Sequence, residues 1–115
     1  MRIYFDSVAL IYFVEQIQPW YGRLVSKLSL WQYKGVISDL TRMECRVKPL
    51  RRGLSGLLAD YQLAFSLSEI VSLNAVVFDR AAEIRAAYNF KTPDAIHLAA
   101  AVEANCDALL TNDQK

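Results

Sequence analysis

Ile3-Tyr4-Phe5-Asp6-Ser7-Val8-Ala9-Leu10-Ile11-Tyr12-Phe13-Val14 opens the chain with two structural patterns separated by one acid. Ile3, Tyr4 and Phe5 favour β structure and read as a short buried strand. Asp6 closes that strand. Residues 7–17 then read as a helix that ends before Pro19. This helix is apolar nearly all round, so it must be covered on more than one side. A buried strand feeding a buried helix is the opening of a parallel α/β domain.

The rest of the chain repeats the alternation. Residues 20–32 form a second helix, with Trp20, Leu24, Leu28 and Trp31 along one face, and Gly35 ends it. Residues 36–38 are a second strand. Residues 39–52 form a third helix rich in Arg and Lys, bent at Pro49, with Asp39 as its cap. Gly53 and Gly56 loosen the chain before a helix over 57–66. A third strand covers 69–73 and a helix covers 74–88. Thr92 as N-cap and Pro93 at the first helical position start the last helix. Residues 108–111 are a fourth strand, followed directly by Asn112-Asp113. The expected architecture is three-layer α/β/α with a central parallel sheet. No repeat, linker or low-complexity segment interrupts it.

The bulk properties narrow the function classes. A chain of 115 residues is one domain, residues 1–115. A hydrophobic fraction of 54% fills a core and leaves a surplus, which points to a partner or a dimer interface. The net charge of +1 argues against coating nucleic acid by bulk electrostatics, so any such contact needs a local patch. Cys45 and Cys106 stand apart, without Cys/His company. That argues against zinc and a disulfide framework and for a cytoplasmic protein. Asp6 interrupts the first apolar run too early for a signal peptide, and residues 8–14 are too few to cross a bilayer.

Four acids carry the chemistry: Asp6, Glu44, Asp94 and Asp113. Each alone has a structural explanation. Asp6 can cap a helix, Thr41-x-x-Glu44 has capping-box spacing, Asp94 suits a helix N-terminus, and Asn112-Asp113 suits a turn. Together they follow strands or open helices, and in a parallel sheet those places share the carboxyl end. The last helix joins them if it packs back along the sheet. Glu15, Asp60, Asp79, Glu83 and Glu103 read instead as solvated helix faces, and Asp107 precedes a strand at its wrong end. Clustered acids in a crevice of low dielectric need a cation. Mg²⁺ or Mn²⁺, held by oxygens, is the expected cofactor, and metal-dependent phosphodiester cleavage is the leading reading.

The lone His97 lies three residues after Asp94, on the same helix face; a structural place is favoured for it over substrate contact. Arg42, Arg46, Lys48, Arg51 and Arg52 crowd the segment around Glu44. They read either as a solvated face or as phosphate contacts beside the acids. No nucleophile elbow or Gly-rich phosphate loop is present.

The segments IYFDSVALIYFVE, SDLTRMECR, KTPDAIHLAAA and LLTND occur in the order and at the spacing of the PIN domain family. The chain resembles that family, and within it the VapC-type toxin ribonucleases most. The resemblance implies that Asp6, Glu44, Asp94 and Asp113 are the catalytic, metal-binding quartet. It matches Ser7 and Thr111 to hydroxyl positions beside the first and last acids, and Asn112 to a polar one. Ser7, Thr111 and Asn112, together with Arg42 and Arg46 of the basic segment, are the expected substrate-binding residues. The resemblance further implies RNA as substrate, a cognate antitoxin and a homodimer, while the short apolar runs predict no membrane contact. The resemblance also implies a further strand beyond Lys115, so the domain is expected to be truncated at its carboxyl end. Two alternatives remain: a catalytically silent PIN-like module that binds RNA or protein, and a phospho-acceptor domain. The second lacks the paired opening acids and the lysine after a later strand that it would need.

Overall fold

Strand and helix alternate as expected in a computed structural model that describes residues 1–111. Four strands, β1 (Arg2–Phe5), β2 (Lys34–Ser38), β3 (Glu69–Val71) and β4 (Ala108–Leu110), form one parallel sheet in the order β3-β2-β1-β4. Tyr4 lies opposite Val36 on one side and Leu109 on the other, and Val36 lies opposite Glu69. All four strands run the same way, so Phe5, Ser38, Val71 and Leu110 mark one carboxyl end.

Six helices join and cover the strands: α1 (Ser7–Val14), α2 (Trp20–Leu28), α3 (Asp39–Arg52), α4 (Ser55–Ser66), α5 (Ala75–Ala87) and α6 (Thr92–Glu103). The period of two along β1 divides the core. Ile3 and Phe5 pack with Ile37 against Leu10, Leu28, Cys45 and Phe65, which come from α1 to α4. Tyr4 and Val36 turn the other way, against Val77 and Ile84 of α5 and the alanines of α6. The result is helices on both faces of the sheet. Ala95, Ala99, Ala100 and Ala101 are all buried, and their small side chains let α6 lie close to the strands.

The direction of α6 decides where its acid falls. Near its start, His97 hydrogen-bonds Ser7, just past the carboxyl end of β1. At its other end, the Ala104 carbonyl accepts from the Arg2 guanidinium, where β1 begins. The helix therefore runs back along the sheet, with Asp94 in its first turn at the carboxyl end. Asp107 sits at the opposite end, where its Oδ2 accepts from Arg2 N at 2.7 Å.

Several boundaries differ from the sequence reading. The first helix stops at Val14 rather than residue 17, because Gln16 takes a left-handed φ of 55°. The second stops at Leu28, the last residue of that run held in the core. Leu30 beyond it is 78% exposed. Gly56 lies inside α4, which begins at Ser55. The third helix passes through Pro49 and ends at Gly53, whose φ of 65° suits glycine. Its cap is Ser38, not Asp39, and Asp39 pairs with Arg42 in the first turn. Lys91, not Thr92, stands at the N-cap position of the last helix, without a side-chain capping bond, so Pro93 is its second residue. Among the described residues no helix is long and apolar enough to cross a membrane.

Candidate active site

Asp6 is the first residue beyond β1. Its amide donates to the Leu110 carbonyl at 3.1 Å, which ties it to the end of β4. Its Oδ1 caps α1 by accepting from Ala9 N at 2.8 Å. The residue is only 5% exposed. Among the described residues no Lys or Arg pairs with it. The helix N-terminus favours this charge but neutralises only part of it.

Glu44 reaches the same place from α3. Its Oε1 accepts from Ser7 Oγ at 2.5 Å and from His97 Nε2 at 2.9 Å. The His97 bond, helped by that of Ser7, holds the Glu44 carboxyl below the usual carboxylate range against an opposing effect of burial. The capping-box explanation of Glu44 does not hold. Thr41, not Glu44, occupies the third helical position, where its Oγ1 accepts from Ser38 N at 3.4 Å.

His97 is 4% exposed and structurally placed, as expected, but its contacts reach the candidate site. Its Nδ1 lies 2.8 Å from the Tyr4 hydroxyl, and that hydroxyl lies 2.8 Å from Ser38 Oγ. Burial pushes the Tyr4 phenol up to about 12, so it stays protonated at neutral pH. Asp94 is one turn before His97 on the same face of α6 and is exposed. Ser7, the neighbour of Asp6, is thus bonded to Glu44, and His97 links Glu44 to the face of Asp94. Three of the four acids stand at one end of the sheet. Asp113 and Asn112 lie outside the described residues. Thr111, exposed, follows Leu110 at that end.

The basic residues divide by helix geometry. Positions two apart on a helix lie about 160° from each other around it. Arg42 and Arg46 therefore lie on a different face of α3 from Glu44. The Arg42 guanidinium sits 5.6 Å from the Phe65 ring centroid and pairs with Asp39 at 3.2 Å. Lys48 and Arg51, four and seven positions after Glu44, share its flank. Lys48 reaches Glu15 at 2.6 Å, and Arg51 is exposed. Crowding in sequence around Glu44 is thus not crowding in space. Tyr4 and Ser38 were not singled out in the sequence. The available signal for Tyr4 was its place one residue from Phe5-Asp6 on the opposite sheet face, the face α6 covers.

The donor set is all oxygen, as a hard divalent cation requires. Asp6 is buried without a basic partner, which fits a cation in kind. Among the described residues alone, no three His, Cys, Asp or Glu side chains gather to hold one.

A parallel α/β domain with acids at the carboxyl end of its strands is the class defined by this geometry. The chain belongs to the PIN domain family, whose model matches residues 3–115. Among solved structures it is similar to a toxin–antitoxin complex from Klebsiella pneumoniae. That likeness has a TM-score of 0.79 and 26% identity, covering 98% of this chain and 88% of that one. VapBC2 from Rickettsia felis, bound to a DNA fragment from their promoter, gives a TM-score of 0.76 at 17% identity over 100% and 90% of the two chains. The sarcin–ricin loop cleaving toxin VapC20 of Mycobacterium tuberculosis gives 0.73 at 12% identity over 98% and 91%. The last two likenesses show the fold. No curated protein matches the chain significantly.

Proposed function

We propose that this chain is the ribonuclease toxin of a toxin–antitoxin pair and that it hydrolyses RNA phosphodiester bonds with Mg²⁺ or Mn²⁺. The observation that carries the reading is the buried Asp6, without a basic partner among the described residues, at the same sheet end as Glu44 and Asp94. Membership of the PIN domain family and the likeness to a toxin–antitoxin complex support it. In this reading Asp6, Asp94 and Asp113 hold the cation, and Glu44 holds it or orients the attacking water. A bound cation would lower the pKa of that water and offset charge at the leaving oxygen. Ser7, Thr111 and Asn112 would contact substrate beside the acids. Lys48 and Arg51, on the flank of Glu44, are better placed than Arg42 and Arg46 to meet the phosphate backbone.

The partners follow from the same reading: RNA, a cognate antitoxin and a second copy of the chain, in the cytoplasm. The alternative is a silent PIN-like module that binds RNA or protein without turnover, and the presence of all four acids in the sequence argues against it. One experiment separates them. The full chain should cleave RNA in Mn²⁺, stop on addition of EDTA, and resume when Mn²⁺ is restored in excess. RNA binding without EDTA-sensitive cleavage in any divalent metal would favour the silent module.

A further inference from the structure

We infer that His97, seated on Tyr4, is a positioning residue that clamps one oxygen of Glu44 and leaves the other facing outward. The inference rests on the metal-dependent reading of the site. Both donors to Glu44 land on Oε1: Ser7 Oγ at 2.5 Å and His97 Nε2 at 2.9 Å. Oε2 takes no part in either bond. The Glu44 side chain is 31% exposed while that of His97 is 5% exposed, so the clamp is buried and the clamped group opens outward. A carboxylate oxygen only accepts, so Nε2 must carry the hydrogen. The Tyr4 hydroxyl, 2.8 Å from Nδ1, occupies the second ring nitrogen and fixes the ring plane. Ser38 Oγ, at the end of β2, holds that hydroxyl in turn at 2.8 Å. The chain Ser38–Tyr4–His97–Glu44 therefore runs from the sheet interior to the surface of the site. Partners that orient a ligand in this way are often worth tenfold or more in metal affinity. A glutamate held at one oxygen presents a single oxygen to a cation or water, in a fixed direction.

Two measurements on the full chain test the clamp. The first needs no metal: ¹⁵N spectroscopy of the His97 ring should show hydrogen on Nε2. A bare Nε2 would overturn the inference. The second is Mn²⁺ affinity by titration calorimetry. His97→Leu should weaken it about tenfold, and His97→Gln, which keeps a donor near the place of Nε2, should recover most of that loss. Equal loss in the two variants would assign the effect to packing and overturn the clamp, as would a folded His97→Leu that binds Mn²⁺ like the wild type. Tyr4→Phe keeps the test open should His97→Leu fail to fold, and unchanged affinity in it counts against the clamp. A wild-type chain with hydrogen on Nε2 that binds no divalent metal would contradict the nuclease reading and leave the clamp standing.

Discussion

Asp94 is the acid at which the proposed chemistry and stability separate most cleanly. It is exposed in the first turn of α6 and pairs with no basic side chain among the described residues. Its charge favours the helix N-terminus by about 0.5 kcal/mol. Asp94→Asn keeps the shape and removes that charge. The expected outcome is loss of turnover in RNA cleavage with less than about 1 kcal/mol lost in denaturant unfolding. Full cleavage activity in Asp94→Asn would remove it from the site. The placement of Asp6 and Asp94 at the carboxyl end was legible because an acid after a strand or at a helix start has a place fixed by topology, and Glu44 follows from the helix that β2 feeds. The contacts of His97 with Tyr4 and Glu44 were not. They join residues 93 and 53 positions apart, and spacing within one helix says nothing about which neighbour a ring meets. Glu15 was misread for the same reason. It looked like a solvated helix acid, yet its side chain is only 13% exposed and meets α3 and α4.

The junction of α1, α3 and α4 closes on that acid. Lys48 of α3 donates to Glu15 Oε1 at 2.6 Å, and the Tyr61 hydroxyl of α4 donates to Oε2 at 2.5 Å. Burial raises the Glu15 pKa, but the Lys48 and Tyr61 bonds together more than offset it, so the net shift is downward from 4.5. A carboxyl with a depressed folded-state pKa contributes stability above its unfolded value and loses it as pH falls through the folded value. Glu15→Gln should therefore destabilise by about 1 kcal/mol at neutral pH, since Lys48 is half exposed. The gap between wild type and variant should narrow as pH drops below 4.5. Chemical denaturation across pH checks this, and a gap unchanged down to acid pH would contradict it. The existence and order of the described elements were read correctly because their apolar runs are strong. Their ends were not, since a left-handed Gln16 and an exposed Leu30 reflect tertiary fit that local propensity does not encode.

At the scale of the whole molecule, the apolar surplus seen in composition is partly on the surface. An apolar groove for a partner helix, built from Tyr12, Trp20, Leu24, Leu28 and Trp31 of the first two helices, would be only partly available. Leu28 is 4% exposed and belongs to the core, while Trp20 is half-buried and stacks on Tyr12 with ring centroids 5.6 Å apart. Trp31 is 40% exposed beyond the end of α2. Trp31→Ala should therefore weaken antitoxin binding by more than about 1 kcal/mol while leaving RNA cleavage and folding intact. Trp20→Ala should cost stability first. Antitoxin affinity measured for both variants decides the point, and a Trp31→Ala chain that binds like the wild type would move the partner surface elsewhere.

The central claim is that the acids at the carboxyl end of the sheet share a divalent cation. Paramagnetic broadening of backbone amide signals by Mn²⁺ reads the position of that cation directly. Signals of Asp6, Ser7, Glu44, Asp94 and Thr111 should broaden at low Mn²⁺. Those of Arg2, Glu69, Glu103 and Asp107, toward the opposite end, should stay sharp. Broadening centred on Asp107 and Glu103, or none at any residue up to millimolar Mn²⁺, would contradict the claim.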